Sequence, residues 1–456
     1  MDISSLPDEL LEHILSYLSV VTDLYVASKV SKLWRKICSD VFGFKIETFH
    51  KESRNGNFVW RLCGEQKSAG RTMHFVPKHM KPRPASFDDL SKPSPRVMHN
   101  ATFYKNTIYV YGGETSQKTS YFNDMFGYDV LTQKWEKVKS SNPSPTPRSS
   151  FSLVRNDDNI LISGGCISSR TPIRITEKIF DDVFSYNITN KSWNKCGSLR
   201  TKRYLHQSTC LKSGDSLKLV LVGGIGENPH LGPTQIEVCT LAVDSNNLYN
   251  LTGTNTFDFP DVLIRHSQCK IDDHRILVYG GMTKFPDQPI KCFIRNDAWL
   301  LEFDDLYEAV TFTKITVENV SVYHGMFPSV TNDYVRIRDF LVYFQRSCFI
   351  KESANRPDLF EVDHDRKPTG DAIYRQDYYH TFILDISQVV ATKTITWQPV
   401  LNNPPKMAPR NSLFHKTVLA GDSIYVFGGS IHDRRTKQPQ DSNNLYKVNV
   451  VRRIEN

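Results

Sequence analysis

The side chains best suited to chemistry are five histidines in matching surroundings: His99, His206, His266, His324 and His415. Imidazoles that converge on one point hold metals or move protons. These five do not read as such a set, because each occupies the same place in a recurring unit of sequence. Each is expected to satisfy a local backbone hydrogen bond within its own unit. The acidic pairs Asp181-Asp182 and Asp304-Asp305 have the composition of a general acid and base. Such a pair needs burial and separated pKa values, and both pairs stand at turns or strand starts instead. Gly223-Gly224-Ile225-Gly226 lacks the spaced third glycine of a phosphate loop, and no helix pattern follows it. Nine cysteines include no CxxC pair, so neither a zinc site nor a disulfide framework is indicated. They read as small buried apolar side chains of a reducing compartment. No catalytic residue, metal or cofactor is expected.

What must position these residues is a repeat. His99 stands 14 residues before Gly113, Phe151 14 before Gly165, His206 18 before Gly224, His266 15 before Gly281 and His415 14 before Gly429. A sixth, worn copy has His324 and then Phe340-Leu341-Val342-Tyr343-Phe344, with Gln345-Arg346 in place of the glycines. Trp135, Trp193 and Trp397 mark the end of three copies, and Tyr249 and Phe312 stand near that place in two others. Each copy reads as strand, turn, strand ending in paired glycines, loop, strand, turn, and a strand with an aromatic. That is a four-stranded antiparallel sheet, and the glycines suit close packing or positive φ where a strand leaves the core. A sheet of four strands cannot bury both faces alone, so copies must stack around an axis.

These copies resemble the Kelch repeat, and the resemblance runs from about residue 95 to the end of the sequence. It implies a mainly β fold, a six-bladed Kelch-type β-propeller at 97–456 preceded by a small all-α domain. With 456 residues, there is room for one large domain and a small one. The net charge of +8 is modest, and no dense Lys/Arg run with interleaved aromatics appears, so nucleic acid is not an expected partner. Asp2, Asp8 and Glu9 stand where a signal peptide needs basic residues, and no apolar run has membrane-spanning length. A cytoplasmic and/or nuclear protein is expected, with no membrane partner.

Residues 1–45 carry Ser5, Pro7, Asp8 and Glu9 as a helix start, then leucines and isoleucines at helical spacing. The apolar stripe is wider than so small a domain can bury, which points to a partner. Leu6-Pro7-Asp8-Glu9-Leu10, Ile14-Leu15-Ser16-Tyr17-Leu18, Leu24, Val30 and Trp34 closely resemble the F-box motif. Val20-Val21 depart from it where the family often has proline. By position, the resemblance implies that Leu6, Pro7, Leu10, Ile14, Leu15, Leu18, Leu24, Val30 and Trp34 bind the Skp adaptor of a cullin–RING ubiquitin ligase.

Residues 46–96 form a connector. Within it, Asn55-Gly56-Asn57 and Phe58-Val59-Trp60-Arg61-Leu62 read as a turn and a strand. The last repeat copy supplies three strands and stops, so Phe58–Leu62 is expected to close its blade, with Trp60 in the tryptophan position. An F-box, then Gly56-Asn57-x-x-Trp60, then Kelch-like copies, is similar to the family of F-box only protein 42 and its relatives.

Taken together, the resemblances imply a non-catalytic substrate-recognition subunit of a Skp–cullin–F-box (SCF) E3 ubiquitin ligase, whose propeller binds a protein for ubiquitination and proteasomal degradation. Two other readings stay open: an adaptor-bound interaction scaffold without ligase role, and a metal-dependent propeller enzyme. The loops after the glycine pairs emerge on one face and carry Arg170, Arg174, Lys178, Lys284, Arg295 and Arg434, a partly basic rim suited to an acidic or phosphorylated segment. Arg96, Arg148, Arg203 and Arg410, near first-strand starts, are expected on the opposite face as a rival surface.

Overall fold

In the computed structural model, the structure describes residues 32–54, 58–63, 92–170, 175–214, 216–227, 235–245, 248–285, 288–320, 326–328, 333–345, 347–353, 356–362, 379–400, 408–409, 412–432 and 438–450. Short apolar strands with polar turns dominate, and they group in fours. Blade one comprises Asn100–Tyr104, Thr107–Tyr111, Met125–Asp129 and Lys134–Lys137. Blade two comprises Ser152–Asn156, Asn159–Ser163, Asp182–Asn187 and Ser192–Ser198. Blade three is built from Gln207–Ser213, Ser216–Val222, Gln235–Val243 and Tyr249–Asp258. Blade four takes Ser267–Lys270, Arg275–Tyr279, Ala298–Phe303 and Val310–Glu318. Blade five, the worn copy, takes Val335–Ile337, Phe340–Gln345, His380–Asp385 and Thr394–Gln398.

Blade six has Lys416–Ala420, Ser423–Phe427 and Leu445–Val450, and its outer strand is Phe58–Leu62. Phe58 lies opposite Val450 and Trp60 opposite Val448. Tyr128 and Trp135 in blade one, Tyr186 and Trp193 in blade two, Leu301 and Phe312 in blade four, and Leu384 and Trp397 in blade five hold the same register. Blade three departs from it. There Thr254 lies opposite Cys239, and Tyr249 lies opposite Val243, away from the tryptophan position, because both outer strands are longer.

The innermost strands are tied around an axis by polar side chains. Asn100 Nδ2 donates to Phe151 O at 2.6 Å, the Ser152 and Ser208 hydroxyls lie 2.6 Å apart, and Gln268 Nε2 donates to Thr209 Oγ1 at 2.9 Å. Tyr334 donates to Gln268 O, and Asp333 accepts from Thr417 N at 3.0 Å. Gly429 N donates to Arg96 O at 2.9 Å and joins blade six to blade one.

The glycine pairs explain how the blades approach. Gly113, at φ +98°, leaves room for its own blade's His99, whose Cβ would stand 2.8 Å from an added Cβ. Gly112, at φ +65°, leaves room for the next blade's Phe151, 2.7 Å from an added Cβ. One glycine thus serves the blade itself and the other its neighbour. The expectation for the histidines needs correction. Among the four that are described, only His415 donates to a backbone oxygen, from Nδ1 to Ser412 O at 3.0 Å. His206 Nε2 meets Ser163 Oγ at 3.1 Å, and His99 packs edge-on against Phe427 and over Gly428. Their role is to fill the seam between blades. His324 lies outside the described residues.

Blades four and five are joined further. Val310–Glu318 pairs in parallel with Thr394–Gln398, merging two blades into one eight-stranded sheet. Seven described cysteines are free, all but Cys63 buried. Among the described residues, no helix is long and apolar enough to cross a membrane. Among the described residues, one helix precedes the propeller: α1, Lys32–Arg54. It buries Phe49 with Phe58, Trp60, Ile337 and Phe340, and the Arg54 guanidinium lies 4.8 Å over the Phe340 ring. Glu47 pairs with Arg338, in the first turn of blade five. The helix therefore sits on the face formed by the first-to-second-strand turns.

Candidate binding face of the propeller

Strand direction decides which residues share a face. The second strand of each blade runs back to where the first began, so the loop after the glycines returns to the first strand's start. Isolated bridges record this: Val97 with Glu114, Ser149 with Cys166, Tyr204 with Ile225, Ile264 with Met282 and Leu413 with Ser430. Arg96, Arg148 and Arg203 are therefore on the loop face, the face expected for the basic rim and not the opposite one. Nor do they form a surface, because all three are fully buried. Arg410 lies outside the described residues.

Each of these arginines does the same work beneath the loops. Arg96 Nη1 donates to Gly112 O at 3.0 Å and to Asp124 Oδ1 at 2.7 Å. Arg148 donates to Gly164 O at 2.9 Å and to Asp182, which is the Asp181-Asp182 pair put to structural use. Arg203 donates to Gly223 O at 3.1 Å and to Glu237 Oε1 at 2.7 Å, and this pair is wholly buried. The guanidinium fork satisfies the carbonyl of the first glycine and neutralises the acid of the third strand together. Blade four has Leu263 at the arginine's place, yet keeps the acid as Asp297. Its cation comes from the other side. Arg295, buried, donates to Asp297 Oδ1 at 2.9 Å and to Asp261 Oδ2 at 2.7 Å. Burial would raise the Asp297 carboxyl, and Arg295 more than offsets it. Arg295, expected on the binding rim, is thus committed to the interior. Asp304 has a local role as well, accepting from Glu308 N at 2.7 Å to cap a turn.

The rest of the expected rim is only partly described. Lys178 is exposed on the hairpin Cys166–Arg170/Ile175–Ile179. Lys284 is half-buried in the strand Met282–Phe285. Arg170 ends its strand with its side chain outside the described set, and Arg174 and Arg434 lie outside the described residues. Beside this rim, the loops of blades four and five pair with each other, Ile294 opposite Phe360 and Arg295 opposite Leu359, in a five-stranded sheet.

At the axis the loop face has a feature that the sequence reading missed. Met98, Ser150, Leu205, Arg265 and Phe414 each precede the repeated His or Phe, and all five adopt φ between 53° and 62°. The turn this imposes lets Ser150 N donate to Met98 O, Leu205 N to Ser150 O and Arg265 N to Leu205 O, at 2.9–3.1 Å. The belt surrounds a space of about 50 Å³. The Arg265 guanidinium lies 4.5 Å over the Phe414 ring, with Nη2 3.8 Å from Met98 Sδ. Their fixed place one residue before the His/Phe position was the signal available in the sequence. Below the belt, Lys416 Nζ lies 3.3 Å from the buried Asp333. Burial would raise the Asp333 carboxyl, and Lys416, His415 and Thr417 hold it below its ordinary value. The neighbouring histidines are kept neutral: burial pushes His99 down to about 3 and His266 to about 4. Among the described residues, no three His, Cys, Asp or Glu side chains converge as a metal site would require. The arrangement offers a cation framed by apolar and aromatic side chains, which is chemistry for holding a ligand.

The adaptor-binding residues inferred from the sequence lie mostly elsewhere. Leu6, Pro7, Leu10, Ile14, Leu15, Leu18, Leu24 and Val30 are outside the described residues, and Trp34 belongs to α1 with its side chain outside the described set.

Comparison with known proteins bears on both parts. The family described as KLHDC2/KLHL20/DRC7 Kelch-repeats domain matches residues 78–281, and the F-box-like family matches residues 3–42. The chain is 29% identical over 136 residues to Ras guanine nucleotide exchange factor F of Dictyostelium discoideum, covering 30% of this chain and 11% of that protein. It is 25% identical over 206 residues to Kelch domain-containing protein 10 of Xenopus tropicalis, covering 42% of this chain and 47% of that protein. The match thus spans less than half the length of either relative. The solved structure of YjhT is similar at a TM-score of 0.46 and 13% identity, covering 79% of this chain and 96% of that one. The chain joins an F-box-like domain to a Kelch-repeat β-propeller.

Proposed function

We propose that this chain is the substrate-recognition subunit of an SCF E3 ubiquitin ligase. Its F-box docks on the Skp adaptor, and its propeller holds a protein for ubiquitination and proteasomal degradation. The observation that carries this reading is the union, in one chain, of an F-box-like match at residues 3–42 with a Kelch-repeat propeller. Supporting it, α1 seats on the turn face through Phe49, Glu47 and Arg54. That leaves the loop face, with Arg265, Phe414 and the rim Lys178 and Lys284, directed away from α1. Chemistry belongs to other subunits. The receptor contributes proximity, turning a bimolecular transfer into a nearly intramolecular one. A substrate with an acidic or phosphorylated segment suits the cationic groups of this face. The finer kinship, to F-box only protein 42 and its relatives, rests on Gly56-Asn57-x-x-Trp60 between the two parts.

Leu15→Asp tests the reading, because it puts a charge into an apolar docking surface. The variant is expected to lose co-purification with the Skp adaptor while the propeller keeps its thermal unfolding transition. Retained adaptor binding would overturn the assignment. Captured proteins should be ubiquitinated in a reconstituted ligase with the unaltered chain and not with the variant.

A further inference from the structure

A propeller leaves the outer strand of every blade with an unpaired edge, and edges are normally kept short or guarded by charge. Most blades here follow that rule. Lys134–Lys137 has four residues, three of them charged. Ser192–Ser198 has Lys195 and a register shift, and Phe58–Leu62 is five residues with Arg61. The outer strands of blades four and five pair with each other. Blade three differs. Tyr249–Asp258 is ten residues long, ends its sheet, and contains one charged residue, Asp258, at its last position.

Its first part is covered by blade two: Asn194 Nδ2 donates to Tyr249 O at 2.6 Å, and Leu251 packs at Gly197. A bulge at Thr252 follows, and from Gly253 to Asp258 the strand is in unbroken register with Thr240–Gln235. That stretch, Gly-Thr-Asn-Thr-Phe-Asp, has neither lysine nor proline to deter pairing. A second observation falls at the same place. Among the described residues, two large apolar side chains stand exposed, Val243 at 46% and Leu306 at 67%. Val243 lies opposite Tyr249 at one end of the strand. Leu306 adjoins Tyr307, whose carbonyl accepts from Asn255 Nδ2 at 2.9 Å. Leu306 thus adjoins the unguarded stretch, whereas Val243 stands at the end that blade two covers.

We propose that this edge pairs with the same edge of a second copy of the chain. The stretch is complementary to itself. Antiparallel pairing about a two-fold axis at Asn255 sets Asn255 opposite its own copy, Thr254 opposite Thr256 and Gly253 opposite Phe257. No like charges face each other, and threonine meets threonine, as cross-strand pairs favour. Such pairing is isologous, so it closes at two copies and does not propagate. Leu306 of each copy loses water at the margin of the joined sheets. The resulting dimer carries two loop faces, which raises the effective affinity for a multivalent substrate. This inference does not depend on the ligase reading.

The test is sedimentation of the full chain over about 1–100 μM, the range in which modest strand-edge interfaces dissociate. The unaltered chain should sediment as a dimer at the upper end, at twice 52.4 kDa. Asn255→Lys should give a monomer, because it places like charges beside the two-fold axis while keeping a donor for Tyr307 O. Asn255→Glu should also be monomeric, and an equimolar mixture of the two variants should recover the dimer. Leu306→Ser, at an exposed turn, should weaken association at least several-fold with an unchanged melting temperature. A chain that is monomeric throughout, or Asn255 variants that dimerise like the parent, would overturn the proposal.

Discussion

The Trp60 indole stacks on the Tyr379 ring, centroids 4.8 Å apart and planes 10° from parallel, although more than three hundred residues of chain separate them. Trp60 also meets Phe344 edge-on at 5.3 Å, so the closing strand is clamped into the seam between blades five and six. Trp193 does the same against Tyr111, and Trp397 against Tyr279. Trp60→Ala should therefore loosen the whole ring, at a cost of about 3–5 kcal/mol. Denaturant unfolding of the variant checks this, and a change below about 1 kcal/mol would show that blade six stands without its fourth strand's anchor.

The glycines should not respond alike. An added Cβ at Gly428 meets the His99 ring at 2.7 Å and Arg96 O at 3.0 Å, whereas one at Gly280 meets only Arg295 O at 3.4 Å. Both have positive φ, +73° and +64°, so both substitutions carry a left-handed strain of about 1–2 kcal/mol. Gly280→Ala should cost about that much. Gly428→Ala should cost more, since blade one must also move. Melting temperatures of the two variants would reverse this order if the seam could relax.

The buried arginines should rank by how far their acids are shielded. Glu237 is fully buried, while the side chains of Asp182 and Asp124 are 17% and 22% exposed. Arg203→Met strands a carboxylate with no access to water and should cost about 3–5 kcal/mol. Arg96→Met should cost less, because water can reach Asp124. A smaller effect at Arg203 than at Arg96, measured by chemical unfolding, would contradict the pairing described.

Acid should act through the seam histidines. Burial, with Arg96 and Lys416 adding to it, pushes His99 down to about 3, against about 6.5 in an unfolded chain. The unfolded chain then binds the proton that the folded one refuses, so stability is full above pH 6.5 and falls as pH drops toward 3. Between pH 6.5 and 5 the loss from His99 alone is about 2 kcal/mol. Phenylalanine already fills this place in blade two, as Phe151. His99→Phe should therefore fold and show a shallower decline over that range. An unchanged pH profile would mean that His99 takes up its proton in the folded state.

What the sequence made legible was whatever repeats. Five glycine pairs at similar distances after His or Phe indicate blades, and a last copy short of one strand directs attention to Phe58–Leu62. What it hid was direction and depth. Arg96, Arg148 and Arg203 read as a surface because a charged side chain is usually exposed, and as the opposite face because sequence order alone does not show that the second strand returns to the first strand's start. Arg295 read as a rim cation because nothing in the sequence marks it as the replacement for a guanidinium that Leu263 cannot supply. Tyr249 looked like the missing tryptophan until the length of its strand moved the register. The parallel pairing of Thr316–Glu318 with Thr394–Thr396 has no sequence signal, since residues so far apart meet only once both blades exist.

Because one sheet is assembled from segments so distant along the chain, its history on the ribosome is unusual. Phe58–Leu62 leaves the exit tunnel nearly four hundred residues ahead of Leu445–Val450, which at ordinary translation speeds is a wait of about 20–80 seconds. Throughout that wait, Phe58 and Trp60 hang beside α1 with no sheet to join, as bait for holdase chaperones. A message broken anywhere before Leu445 yields a chain in which Phe58–Leu62 never finds its place, so the late strand certifies the early one.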